Sequence, residues 1–348
     1  MTHPGDIPVE SRGTITRSSY AVVSTVDEKA GADMFLAFAL LAGAVLTGWC
    51  APPLLRRLNP AYRDPRAVLA AWLLAVLGVV LTATLGVVLL LTRGHGMFLI
   101  ATAEECWSAL SRGRLPSAGQ LTGLAGAALA VVAAIRFGLI VLRDLRDRTD
   151  TSEQCLSALR DTAQCDGGSP MTFWVDDDEP MAFSLARRPT GIVVATTGLA
   201  RTLSARQAAA ALEHEYAHLR GRHHLLVLIL DSLARALPVP LFRHAHVAAR
   251  ELVELAADDA AARAHGEEAI RSAIAALARH DLPYGALTLA DDSVGLRLAR
   301  LENTRPRVRP PIRALSSGLA ALTAVILPVV AGAGILAVAV TTCQFAIA

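Results

Sequence analysis

Charge is scarce in this 348-residue chain: Asp, Glu, Lys and Arg together make up 18% of it, against 53% hydrophobic residues. That balance excludes an ordinary soluble domain, and a mean hydropathy of +0.43 points the same way, toward a membrane protein. Lysine is all but missing, with Lys29 alone among 33 basic residues. A net charge of +2 leaves no basic surface to hold nucleic acid, so no direct nucleic-acid partner is expected. Cysteine is thin as well. Cys50, Cys106, Cys155, Cys165 and Cys343 contain no C-x-x-C pair, which excludes a thiolate metal knuckle and implies no disulfide framework.

Long apolar runs are what the chain does have. Residues 34–50, 67–91, 121–142 and 314–340 can each span a bilayer, the first near the lower length limit and the third interrupted only by Arg136. The first run follows 33 polar residues and precedes a second span closely, so it does not read as a cleaved signal peptide. Eleven basic residues flank the spans on one side (Arg56, Arg57, Arg63, Arg66, Arg143, Arg146, Arg148, Arg305, Arg307, Arg309, Arg313) against six on the other. The positive-inside rule then expects both termini outside and residues 143–313 in the cytoplasm of a multi-pass plasma-membrane protein. Residues 1–33 read as a disordered outer tail, 34–142 as three spans with their loops, and 314–348 as the fourth span and C-terminus. Arg136 either snorkels to the inner interface or pairs with the cytoplasmic domain.

Within 143–313, residues 141–159 alternate charged and apolar residues at helical spacing, as in a helix leaving the membrane. Short β-like runs follow at 171–175, 181–185 and 191–196, separated by turn residues. Such a small sheet is either a structural hairpin or an edge that holds an extended peptide by main-chain hydrogen bonds.

The chemistry sits just beyond. Ser204 and Gln207 form an S-x-x-Q capping box, and Gly221 is a stop, so 204–221 reads as one helix. It carries His214-Glu215-Tyr216-Ala217-His218. Two histidines four apart project from one helix face and can share one zinc ion, while Glu215 can take a proton from water on the open side. The bland alternative is a histidine pair on a solvated face. Catalytic zinc needs a third protein ligand. Glu254 stands 36 residues after His218 within a second expected helix, 248–264, and Asp258 is one turn further on. Glu254 would bind the metal and Asp258 would orient a ligand histidine. Glu251 and Asp259 read as a charged solvent face. His246 and Arg250 are the candidates for stabilising an oxyanion, and spacing does not choose between them. His223 and His224 are expected to face solvent at the helix end. The apolar run 225–237 is too short to span and reads as buried or dipping into the membrane.

Taken in order, A-F-S (182–184), G-I-V-V-A-T-T-G-L (191–199), H-E-Y-A-H and E-L-A-A-D-D (254–259) resemble the membrane zinc peptidases of the BlaR/MecR antirepressor type. These are related in their catalytic core to the heat-shock membrane protease and CAAX prenyl endopeptidase group. The resemblance covers roughly residues 34–265. It implies a mainly α integral membrane protein of about four spans with a cytoplasm-facing α+β zincin-type domain. It also implies His214, His218 and Glu254 on one zinc ion, with Glu215 as the base, and it makes a transcriptional repressor the expected protein substrate.

The chain departs from that family's β-lactam sensors. No outer C-terminal domain is expected after residue 340, and Lys29 has Val26 rather than serine three residues before it, so no Ser-x-x-Lys exists. Membrane-protein quality control is the alternative for a peptidase, and a non-cleaving signalling scaffold is the rival from another class. A scaffold has no need of Glu215. A transporter is weaker, since the spans carry one internal charge and no paired broken helices. The oligomeric state is not legible.

Overall fold

The structure, a computed structural model, describes residues 17–58, 64–91, 111, 118–162, 164–166, 171–186, 191–279 and 289–302. Three long helices come first: α1 (Arg17–Arg56), α2 (Pro65–Leu91) and α3 (Ala118–Thr162). Among the described residues two segments, Leu36–Arg56 and Pro65–Leu89, are long and apolar enough to cross a membrane. The expected fourth span and most of the 92–120 loop lie outside the described residues.

One expectation needs correction here. Residues 17–33 are helical and continue α1; no glycine or proline interrupts the sequence from Arg17 to Ala30. The run 121–142 continues into the helix read at 141–159, as that reading expects, and the two form one unbroken helix, α3.

A four-stranded sheet follows, formed by β1 (Gln164–Asp166), β2 (Met171–Val175), β3 (Ala182–Leu185) and β4 (Ile192–Thr196) in the order β1-β2-β4-β3. The three β-like runs therefore do not form a simple hairpin. β4 inserts between β2 and β3, parallel to the first and antiparallel to the second. The acidic turn does the redirecting. Asp177 O accepts from Gly198 N at 2.7 Å, and Thr196 Oγ1 donates to Glu179 O at 2.6 Å, so the chain passes below the end of β4 before turning back. β4 is buried along its whole length. Its Ile192 and Val194 pack on Leu156 and Leu159 of α3, and Ala195 packs on the other side with Leu199, Leu203 and Ala211. β3 becomes an edge strand.

The remaining helices are α4 (Thr197–Thr202), α5 (Ala205–Arg220), α6 (His223–Ala236), α7 (Pro240–His265), α8 (Glu267–Leu277) and α9 (Leu289–Glu302). In the capping box Gln207 N donates to Ser204 Oγ, and Ser204 N donates to Gln207 Oε1 at 2.9 Å. α7 starts eight residues earlier than 248 because Pro240 occupies its first turn, where a missing N–H costs nothing. The run 225–237 is the body of α6, and Leu230 and Leu233 bury one of its faces.

One core joins the apolar helices to the rest. Ala44 and Ala51 of α1, Trp72 and Val76 of α2, Leu230 and Leu233 of α6, and Phe242 and Leu252 of α7 form a single buried cluster. A second link runs through polar groups. Arg136 Nη2 on α3 donates to the Arg235 carbonyl on α6 at 3.1 Å, while the Arg235 side chain is bonded to Asp144 of α3. Arg136 thus binds α6, through a carbonyl rather than an acid. Because Phe242 is 2% exposed where α1, α2, α6 and α7 meet, Phe242→Ala is expected to destabilise the folded protein by about 3–5 kcal/mol, read from unfolding in detergent micelles.

Candidate metal site

α5 and α7 cross with alanine at the contact. Ala217 of α5 and Ala257 and Ala260 of α7 form a small buried cluster, and side chains this short let two helices approach closely. Ala217 lies between His214 and His218, and Ala257 lies between Glu254 and Asp258. The same approach therefore brings the two pairs face to face.

His214 Nε2 and His218 Nε2 lie 3.1 Å apart. Glu254 Oε2 is 3.3 Å from the first and Glu254 Oε1 is 3.5 Å from the second. Donors about 2.0–2.1 Å from a tetrahedral zinc stand roughly 3.3–3.4 Å from one another, and the two nitrogens with the nearer oxygen of the carboxylate to each have spacings of that order. The set also has the right chemistry, two imidazoles and a carboxylate within 4.8 Å of each other. The residues fit one zinc ion.

Behind the donors, His214 Nδ1 lies 2.9 Å from Asp258 Oδ1, although the ring N–H is not well aligned with it. Asp258 is 1% exposed. Arg297 of α9 grips it with two hydrogen bonds of 2.7 Å and comes within 3.7 Å of Glu254 Oε2. Beside it Arg300 pairs with Asp259 at 3.0 Å, so Asp259 fastens α9 to α7 rather than lying on a solvent face; Glu251 is exposed.

Arg297 escaped the sequence reading. The available signal was a pair of arginines three apart, Arg297 and Arg300, on a leucine-bearing stretch, matched by the adjacent acids Asp258 and Asp259. A buried acid needs such a partner.

Electrostatics follow from this geometry. Burial disfavours charge on His214, but Asp258 and Glu254 outweigh it and raise the pKa to about 9. Burial, reinforced by His214, lowers His218 to about 4. Burial opposes ionisation of Glu254 and Asp258, yet the neighbouring histidines and Arg297 hold both at about 2. Burial pushes Glu215 up, toward the range useful to a general base, and hydrogen bonds from the hydroxyl and backbone of Ser184 restrain that shift. Ser184 belongs to β3, so the edge strand borders the base directly.

The other candidates are spread along the same cleft, of about 960 Å³, which His218, Glu254, Ser184, Arg250 and His246 all line. Arg250 is one turn before Glu254 on α7. His246 is two turns before it, about 12 Å along the axis, with Nε2 3.6 Å from Asp231 Oδ1. Tyr216 turns away from the cleft and bonds Thr172 on β2 at 2.6 Å. His223 does not face solvent. Its Nδ1 is 3.0 Å from His218 Nδ1, because Arg222 adopts a left-handed conformation (φ 49°) that folds α6 straight back over α5. His224 is half-buried and lines the cleft.

Residues 153–286 match the model of Peptidase family M48. The chain is also similar to proteins named Protease HtpX homolog from Burkholderia mallei (strain SAVP1) and Burkholderia pseudomallei (strain 668). Each is 36% identical over 69 residues, which cover 20% of this chain and 24% of the relative. The chain thus spans about a quarter of the length of the curated relatives it matches. No solved structure matches.

Zinc and protons would compete for His214. With a pKa of about 9 the ring is protonated at neutral pH when no metal is bound, whereas His218, at about 4, is already neutral. Zinc entry at pH 7 is therefore expected to release about one proton, measured by calorimetry in buffers of different ionisation enthalpy. Affinity should rise about tenfold per pH unit from pH 6 and level off above the His214 value. An affinity flat between pH 6 and 8 would contradict this.

Removing only the cation should be worse than removing the pair. Arg297→Met is expected to cost about 3 kcal/mol by leaving the buried Asp258 with His214 alone beside it, and Asp258→Asn with Arg297→Met should cost less, both read from unfolding midpoints.

Proposed function

We propose that this chain is a membrane-embedded, zinc-dependent endopeptidase that cuts a protein substrate beside the inner face of the plasma membrane. The observation that carries the reading is the convergence of His214, His218 and Glu254, whose donor atoms lie within 4.8 Å of one another, with the half-buried carboxylate of Glu215 next to His214 on the same helix. The match of residues 153–286 to a peptidase family supports it.

Zinc, when bound, supplies Lewis acidity to a peptide carbonyl and to an attacking water. The chain's own groups do the rest. Glu215, its charge disfavoured by burial, takes the proton from water and hands it to the leaving amine. β3 offers main-chain groups to an extended substrate, and Ser184 ties that strand to Glu215. Arg250, one turn from Glu254 and lining the cleft, is the candidate for meeting an oxyanion; His246, two turns away and 3.6 Å from Asp231, is better suited to the cleft wall.

The surfaces of α1, α2 and α3 support insertion in a bilayer. Trp49, Leu81, Leu129, Val132 and Leu139 all stand more than half exposed, far more apolar surface than a water-facing helix carries. The arginines at 56, 57, 66, 143, 146 and 148 favour the cytoplasmic side for the cleft.

Two substrate classes remain in play. Cleavage of a transcriptional repressor follows from the antirepressor resemblance, and quality control of membrane proteins follows from the likeness to HtpX homologues. Comparing new protein N-termini in cells carrying the wild type and cells carrying Glu215→Ala separates them. Glu215→Ala is expected to keep zinc and lose about 10²–10⁴-fold in cleavage, while His218→Ala loses both. One regulator cut at one site supports signalling; many cut membrane proteins support quality control. Identical N-termini in both strains, with the protein expressed and zinc-loaded, would overturn the peptidase reading in favour of a scaffold.

A further inference from the structure

The two histidines of the HExxH motif are held differently. Behind His214 stands an anion, Asp258, itself gripped by Arg297. Behind His218 no carboxylate lies within bonding distance of Nδ1 among the described residues; a second histidine does. His223 Nδ1 is 3.0 Å from His218 Nδ1, with the rings edge to face and their centres 4.9 Å apart.

We infer that His223 is a positioning residue of the metal site: it accepts a hydrogen bond from His218 Nδ1–H and so fixes the tautomer that leaves His218 Nε2 free for a metal. The inference rests on the reading of His218 as a zinc ligand. Two facing nitrogens at 3.0 Å require one proton between them. His218 Nε2 points at His214 and Glu254, so when its lone pair serves a metal the ring proton must sit on Nδ1. His223 Nδ1 is then the acceptor, and its own proton lies on Nε2. A neutral acceptor behind a ligand histidine fixes the ring's rotation as well as its tautomer.

The turn between the helices is shaped for this contact. Arg222 takes the left-handed conformation that starts α6 immediately after α5. Gly221 provides the room: a Cβ there would stand 2.3 Å from His223 Nε2 and 2.6 Å from its Cδ2. An alanine at 221 must therefore push the His223 ring off its present position.

The test uses the full chain in detergent and measures zinc affinity by competition with a chromophoric chelator. Asn carries its Oδ1 at the same distance from Cβ as the histidine Nδ1, whereas Leu presents a carbon there. His223→Leu is expected to weaken zinc binding about 10–100-fold, and His223→Asn to stay within about 3-fold of wild type. Gly221→Ala should weaken binding in the same direction, and adding it to His223→Leu should cost little more, because both break one contact. The unfolding midpoint of the zinc-free protein checks that each variant is folded. Equal affinity for the Leu variant and wild type would overturn the inference, as would equal losses for Leu and Asn. A wild type that takes up no zinc would overturn the underlying metal reading as well, an outcome distinct from a loaded wild type with indifferent variants.

Discussion

A carboxylate with almost no contact with water stays ionised only if a cation reaches it, and the site here depends on Arg297 reaching Asp258. Asp258 is 1% exposed, between a helix bearing the histidines and a helix bearing Arg297. Without the guanidinium, burial would drive the acid neutral, and a neutral acid cannot back a ligand histidine as an acceptor on both oxygens. The same arginine comes within 3.7 Å of Glu254, so one cation offsets the charge of two acids on neighbouring turns of α7. α5, α7 and α9 are bound together by this charge arrangement as much as by apolar contact.

That arrangement would be loose if α7 could rock, and the apolar helices prevent it. The first half of α7 is packed with α1, α2 and α6 through Leu241, Phe242, Ala245, Ala249 and Leu252, and its second half carries Glu254 and Asp258. One helix therefore has its base in the core shared with the apolar helices and its far end in the metal site. α3 adds a second path, since Arg136 and Asp144 both hold Arg235 at the end of α6, while Arg148 further along α3 lines the cleft. A shift of α1–α3 relative to one another would be felt at the ligands through rigid elements.

How legible this was in the sequence depended on distance along the chain. The helix at 205–220, its capping box and the facing of His214 and His218 follow from spacing of three and four residues, which an α-helix turns into one face. Glu254 and Asp258 are readable in the same way, and the structure brings both to the histidines. The β-runs were visible but their order was not, because nothing local in Asp176–Pro180 says that the next strand will pair with β4 instead of β2. β1 escaped because three residues carry no alternation to read. His223 was misjudged for a related reason: a turn of two residues decides whether the next side chain folds back, and here a left-handed Arg222, a conformation unusual for arginine, makes that decision. Arg297 lies 39 residues from its partner and could be found only by asking which cation answers a buried acid.

Arg297 also bears on what the functional unit is. The segment that matches the peptidase family ends at 286, and α9 begins at Leu289. His214, Glu215, His218 and Glu254, the candidate ligands and base, all lie inside that segment. The charge that offsets Asp258 and Glu254 arrives from outside that segment, on a helix that need only carry a guanidinium at the right height. The physical site is therefore larger than the recognisable one. α9 is held by the two arginine–carboxylate pairs and by apolar contact of Leu301 with Ile270 and Ile274, so the residues that seat this helix and those that complete the site are largely the same. α5 and α7 bring the candidate ligands together, and α9 adds the charge that offsets Glu254 and Asp258.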